Sequence, residues 1–354
     1  MLRRVLVFIF LAAFACGAGA GLEADFKNPP ASARPWVYWF WVNSNVTREG
    51  ITADLEAMQR VGIGGVLLMD VNQGVPEGKI KFMDAEWQAM FAWSVKEAKR
   101  LGLEYNFNDG VGWNGTGGPW ITPELAQQRI FTSEVHIQAG EKGTNWSATL
   151  ASPSTNREYK DIAVFAVPER VMDATNRFQI PDFKFKALTW DKLAENRHLK
   201  RNPTDAAPAE QCIPFKKIVN LTTRMKPDGS LSWDAPAGDW TILRIGHAWS
   251  GRKVAPALPD HTGPECDKLS KAALNVHFRA YNKHLVDLAG PDAKGTLITT
   301  HIDSWEAGGQ NWTPAMRDEF KKRRGYDPLP YLPILAGRVL GDLQFTERFL
   351  FDLL

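Results

Sequence analysis

An α/β fold of parallel strands joined by crossing helices is what this 354-residue chain predicts, and three observations carry that prediction. Between residues 36 and 108, β-branched and aromatic runs alternate with stretches of helical hydrophobic period. Each run ends in a polar or acidic residue, at Asn43, Asp70 and Asp109. From about Arg129 to Asp260 the pattern changes to short alternating runs between Pro, Gly and Asn turns, and helical period resumes near Cys266.

The first strand is expected over Trp36 to Val42, and Asn45 or Thr47 can cap the helix that follows. That helix, about Arg48 to Val61, sets Ile51, Leu55 and Met58 on one stripe and stops at Gly62. "GGVLLMDVNQG" is a second buried strand ending in Asp70, followed by a helix from about Asp84 to Leu101 closed by Gly102. "LEYNFNDGVGWNGTGGPW" is a third strand entering a glycine-rich loop. This order demands parallel strands with right-handed crossovers. An open doubly wound sheet usually carries a glycine-rich phosphate turn after its first strand, and "WVNSNVT" has no glycine there. A (β/α)8 TIM-type barrel is therefore preferred, with its site on the loops after the strand C-termini.

"IFTSEVHI", "DIAVFAVP", "SLSWDA" and "WTILRIGHAW" read as antiparallel strands, with turns at Pro227–Gly229 and Pro236–Asp239. They form an inserted β-rich module. Leu297 to Thr300 then supplies a fourth, buried strand, and a helix is expected near Ala315–Gly325. "YDPLPYLPILAG" reads as a proline-punctuated loop before a last helical stretch. The resulting division is 1–20 export signal, 25–128 first part of the barrel, 129–262 inserted module and 263–354 continuation of the barrel. Only about four strand–helix units can be counted, whereas a closed barrel takes eight. The expectation is a barrel incomplete in this chain, the front part of a longer protein.

A formal net charge of +2 without a Lys/Arg block disfavours nucleic acid and membrane surfaces as partners. Arg3 and Arg4, the apolar run Val5 to Ala15 and the small residues up to Ala20 have the order of a cleaved secretory signal. The protein is expected to be periplasmic, at the cell surface or secreted. No other segment is apolar enough to span a bilayer. Cys212 and Cys266 could pair after export, and no Cys or His spacing resembles a zinc site. Asn114 and Asn311 stand in Asn-x-Thr sequences, glycan acceptors where the cell glycosylates.

Residues 297–314, "LITTHIDSWEAGGQNWTP", crowd His301, Asp303, Trp305 and Glu306 at a strand end. A carboxyl beside an indole has its charged form disfavoured, which suits it to protonate a leaving oxygen. Glycoside hydrolysis needs such an acid and a second carboxylate across the sugar. The plainer reading is that Asp303 caps the loop and Glu306 pairs with Arg323 or Arg324. On the residues alone the two weigh equally. "NDGVGWNGTGGPWITPE" offers Asn108, Asp109, Trp113 and Trp120 for hydroxyls and sugar stacking, or as a packed turn. Asp70 could bind hydroxyls or accept from backbone amides, and Asp267 reads as a helix-start residue. Oxygen ligands of this kind suit Ca²⁺, although no calcium-loop pattern is present.

Together, "KNPPASARPWVYWFWVNSNVTREGITADLEAMQRVGIGGVLLMDV", "NDGVGWNGTGGPWITPE" and "DSWEAGGQNWTPAMRDEFKKRRGYDPLPYLP" resemble glycoside hydrolase family 106, exported bacterial α-L-rhamnosidases. The resemblance covers nearly all of the chain after the signal, in the same order. It implies a carbohydrate partner, a rhamnose-containing glycan, hydrolysed by inversion on a (β/α)8 domain with calcium assisting sugar binding. It implies Glu306 as general acid, with the general base beyond Leu354. Asp70, Asn108, Asp109 and Asp303 would then hold hydroxyls or calcium, and Trp39, Trp113 and Trp305 would form apolar walls. Trp305 stands where a tyrosine is expected, and keeps the wall flat. The rivals are a non-catalytic carbohydrate-binding relative lacking the second carboxylate, and a glycosidase of similar barrel with another sugar specificity.

Overall fold

The computed structural model describes residues 21–155, 158–169, 212–303 and 307–353, so the expected export signal lies outside the described residues. The chain forms two compact units, each from three stretches. The first takes residues up to 116, Val254–Thr262 and 278–303; the second takes Gly117–Lys253, Gly263–His277 and 307–353. Composition joins Val254–Thr262 to the β-rich stretch before it, yet these nine residues return to the first unit.

The first unit holds a parallel sheet of four strands in the order β1-β2-β3-β10: β1 (Trp36–Val42), β2 (Gly65–Val71), β3 (Glu104–Asn108) and, last in the chain, β10 (Leu297–His301). The crossovers carry α1 (Arg48–Arg60) and α2 (Ala85–Leu101). Thr47 caps α1 by accepting from the Gly50 N–H at 3.0 Å, while Asn45 instead donates to the carbonyls of Val42 and Pro76. Asp84 caps α2 by accepting from the Trp87 N–H, and Gly102 closes it at φ +69°. A side chain at that φ is disfavoured, so glycine ends the helix without strain.

One side of the sheet is packed beneath these helices. Trp39, Trp41, Leu68, Tyr105 and Phe107 are buried there; the Trp41 ring meets Trp87 of α2, the Tyr105 and Phe107 rings meet Phe91, and Trp39 packs on Tyr105. Burying each such side chain stabilises the fold by roughly 1.5–3 kcal/mol. The other side carries Tyr38 and Phe40 of β1, Leu67, Met69 and Val71 of β2, Asn106 and Asn108 of β3, and Thr299 and His301 of β10, placed together by register. Although β1 and β10 are the two edges of the sheet, the Tyr38 and His301 rings meet edge-on with centroids 6.3 Å apart. The sheet therefore curls, and this side is concave.

The expectation of a buried strand at Leu297–Thr300 is corrected: Ile298, Thr299 and Thr300 are exposed. The physical reason is position, since β10 pairs only with β3 and forms an edge. Helical period after Cys266 resolves into α3 (Lys271–Phe278), a π turn at Arg279–Lys283 and α4 (His284–Ala289).

The second unit is antiparallel. Strands β4 (Gln128–Gln138), β6 (Lys160–Pro168), β7 (Val219–Asn220) and β9 (Asp239–Trp249) form a sheet in the order β4-β9-β6-β7, and β5 (Thr144–Thr149) pairs with β8 (Ser230–Ala235). Alternation sorts the sheet's apolar residues. Val164, Ala166 and Ile242 pack with Leu231 and Trp233 of β8, whereas Ala163, Phe165, Leu243 and Ile245 pack with Leu332, Ile334, Leu335 and Phe349. The last group belongs to a 3₁₀ run at Leu329–Ala336 and to α6 (Leu343–Leu353), which follow α5 (Met316–Arg324). The proline-punctuated stretch is thus no surface loop but a buried 3₁₀ element, a tighter helix used in short pieces. The stretch expected to continue the barrel lends its apolar side to the antiparallel sheet. Cys212 and Cys266 are buried in separate apolar clusters and are not joined to each other by a disulfide. Among the described residues no helix is long and apolar enough to cross a membrane.

Candidate functional site

The concave side ends, at the strand C-termini, in a loop that Asn108 organises. Its amide Nδ2 donates to the carbonyls of Gly110, Gly112 and Asn114 at 3.1, 2.8 and 3.3 Å. Three carbonyl acceptors fix which end of the amide is nitrogen. The opposite atom, Oδ1, is buried without a hydrogen-bond partner. Gly112 at φ +73° passes so close to Ala255 that an added Cβ would lie 2.4 Å from its carbonyl oxygen. No other residue fits there.

This loop sets Trp113 against Phe40, rings 5.8 Å apart at 87°, with Val42, Leu67, Met69 and Val71 around it. Phe40 lies beside Tyr38, Tyr38 meets His301, and His301 Nε2 stands 3.9 Å from Asp303 Oδ2. Tyr38 is 56% exposed and Phe40 44%. The concave side thus gathers an accessible arc of aromatic faces that ends in an imidazole and a half-buried carboxylate. Aromatic faces accept the apolar side of a sugar ring, and the polar pair can exchange hydrogen bonds with its hydroxyls.

The residues singled out from sequence divide three ways. Trp113 and Asp303 belong to the concave arc, and Asn108 builds the loop beneath it. Trp305 and Glu306 lie outside the described residues. Trp39, Asp70 and Asp109 lie on the packed side. Trp39 is 5% exposed, donates its indole N–H to Asp54 of α1 at 3.0 Å, and meets Trp41 and Tyr105 edge-on. Asp70 pairs in register with Trp41, accepts from the Trp87 indole at 2.9 Å, and lies 3.9 Å from His261 Nδ1. Asp109 is buried, with its N–H donating to the His301 carbonyl at 2.7 Å. Its carboxylate and that of Asp70 stand near Tyr281, whose phenol is held well above its ordinary pKa, by burial first and these charges second.

Other readings change as well. Asp267 does not start α3; Ser270 caps it, accepting from the Ala273 N–H at 3.3 Å. Asp267 is a buried clip that accepts from Gln310, Thr313 and the Leu269 N–H. Trp120 sits in the second unit with its indole N–H on His277 Nδ1 at 3.0 Å. Asn114 and Asn311 are buried, which removes them as glycan acceptors in the folded chain. Arg323 and Arg324 already serve Glu319 and Asp352. Tyr38 and Phe40 are not distinguished by the sequence, and His301 is noted there only as part of the crowded strand end. Alternation along β1 was the available signal, but "WVYWFWV" is aromatic on both sides and hides which parity faces the helices.

Among the described residues no group of three or more His, Cys, Asp or Glu gathers as metal donors.

The chain has known relatives. The family model for glycoside hydrolase 106, described as alpha-L-rhamnosidase, matches residues 27–183 and 168–354. A Formosa agariphila protein carrying the provisional name beta-glucuronidase is 38% identical over 332 residues, 94% of this chain and 28% of its own length. The solved structure of a rhamnosidase from Novosphingobium sp. PP1Y superposes with a TM-score of 0.75 at 25% identity, over 94% of this chain and 44% of that one. The chain thus spans less than half the length of either relative.

Proposed function

Because this chain belongs to glycoside hydrolase family 106, the alpha-L-rhamnosidase family, we propose that it acts in an exported α-L-rhamnosidase that removes terminal rhamnose from glycans with inversion. The observation that carries the reading is the concave arc. The strand that delivers His301 and Asp303 runs directly into Trp305 and Glu306, so the acid assigned to catalysis follows the sugar-facing groups in the chain. The curled four-stranded sheet supports a (β/α)8 barrel as the complete fold.

In this reading Trp113, Phe40 and Tyr38 take the apolar side of the sugar, and His301 and Asp303 take hydroxyls. Glu306 donates a proton to the glycosidic oxygen as the C–O bond breaks. A water on the opposite face of the ring attacks the anomeric carbon and gives its proton to a second carboxylate, roughly 6.5–9.5 Å from the first. That second carboxylate is not assigned among the described residues. The Asp303 carboxylate at the rim favours a neutral deoxy sugar over a uronic acid, whose own carboxylate it would repel.

Hydrolysis of an aryl α-L-rhamnoside and an aryl β-D-glucuronide by the full-length protein, with Glu306→Gln beside it, tests the reading. The rhamnoside is cleaved and the variant loses about 10³-fold in kcat. Wild-type kcat in the variant removes Glu306 as the acid, cleavage of the glucuronide alone replaces the substrate, and binding without cleavage favours the carbohydrate-binding alternative.

A further inference from the structure

The Val254–Thr262 segment leaves the β-rich stretch and closes over two loops of the first unit, the one after β2 and the one after β3. At one end, Ala255 accepts from the Trp113 N–H at 3.0 Å and donates its own N–H to Asn114 Oδ1 at 2.8 Å, while Pro256 accepts from the Asn72 N–H at 3.3 Å. At the other end, His261 Nε2 accepts from the Phe82 N–H at 3.1 Å and Asp260 pairs with Lys81 at 2.8 Å. A segment tied at both ends cannot drift from the loop it holds.

Trp113 is the one residue of the sugar-facing arc that belongs to neither a strand nor a strand-end continuation. It sits among glycines, whose backbone freedom would leave its ring unplaced. Two bonds to Ala255 fix it, one from its own N–H and one through the neighbouring Asn114. Asn114 is buried and also accepts, at its carbonyl, from Asn108 Nδ2. Its side chain thus joins the strap, and its backbone joins the floor of the arc.

We infer that Asn114 is a positioning residue for sugar stacking: through the Ala255 strap it holds Trp113 over Phe40. The inference rests on the reading of the concave side as the rhamnoside site. It differs from the sequence-level role of Asn114 as a glycan acceptor, which burial removes.

Asn114→Ala, Asn114→Asp, Trp113→Phe and the Asn114→Ala/Trp113→Phe pair in the full chain form the test. Asn114→Ala raises KM for an aryl α-L-rhamnoside about tenfold with kcat within about twofold, the scale of one lost buried hydrogen bond. Asn114→Asp, which keeps a side-chain oxygen for the Ala255 N–H, retains most of the wild-type KM. In the Trp113→Phe background Asn114→Ala adds nothing, because the two act as one unit. Acrylamide quenching of Trp113, taken as the difference from Trp113→Phe, gives a sugar-free readout, and it increases in Asn114→Ala. Additive KM effects, a fall in kcat alone, or unchanged Trp113 quenching in a folded variant overturn the inference. If the wild type neither binds nor cleaves a rhamnoside, the functional reading fails, and quenching still decides whether Asn114 holds Trp113.

Discussion

The two sides of the parallel sheet use the same residue types for opposite ends. On the helix side, Trp39 and Trp41 are buried, ring against ring, and the carboxylate of Asp70 is consumed by an indole N–H. On the concave side, Tyr38 and Phe40 of the same strand stand open, and Asp303 borders them. Aromatic and acidic residues at strand ends therefore do not by themselves mark a binding site. Parity decides, because consecutive strand residues point to opposite faces. A substitution on one side should damage the fold, and its immediate neighbour on the other should damage sugar binding.

Trp39→Ala is the strongest way to break that contrast. It removes a buried indole, strands Asp54 without its donor, and should cost about 3–5 kcal/mol. Tyr38→Ala, one residue away and more than half exposed, should cost under about 1 kcal/mol and raise KM instead. Denaturant unfolding beside rhamnoside kinetics on both variants checks the pair. Equal destabilisation would put both residues in the core and dissolve the comparison.

Asp70→Ala comes next. It leaves the Trp87 N–H unpaired in a buried place, so a loss of about 1–3 kcal/mol in unfolding free energy is expected. KM on the rhamnoside should stay near wild type in variant that remains folded. A raised KM with unchanged stability would return Asp70 to the sugar site.

The contrast also explains what the sequence could and could not tell. Thr47, Asp84 and Gly102 are legible because capping depends on a few local atoms. The strands of the antiparallel unit are legible because alternation and Pro/Gly turns are local too. Parity in "WVYWFWV" is not, since bulky apolar residues occupy both phases. Asp70 reads as a strand terminus, but pairing runs one residue further, to Val71, and buries it. The arc needs Tyr38, Trp113 and His301, which only the curl of the sheet brings together. The Val254–Thr262 strap is hidden by composition, because nothing in its residues announces a return to another unit.

The smallest expected effect appears only at high pH and again belongs to the helix side. Burial holds the phenols of Tyr105 and Tyr281 well above their ordinary value near 10. Asp70 and Asp109 add to the effect at Tyr281, whereas the hydrogen bond with Ser94 works against it at Tyr105. In the unfolded chain these phenols ionise near pH 10, and in the folded chain they stay neutral. The folded state therefore binds more protons above that pH. The resulting stabilisation is complete below pH 10 and is lost as pH rises from the unfolded toward the folded pKa. Tyr281→Phe removes one such group. It should make the fall in stability above pH 10 shallower. Urea unfolding at a series of pH values reads the slope directly. Parallel curves for the two proteins would mean that Tyr281 ionises alike in both states, and that the helix side is wetter than its packing implies.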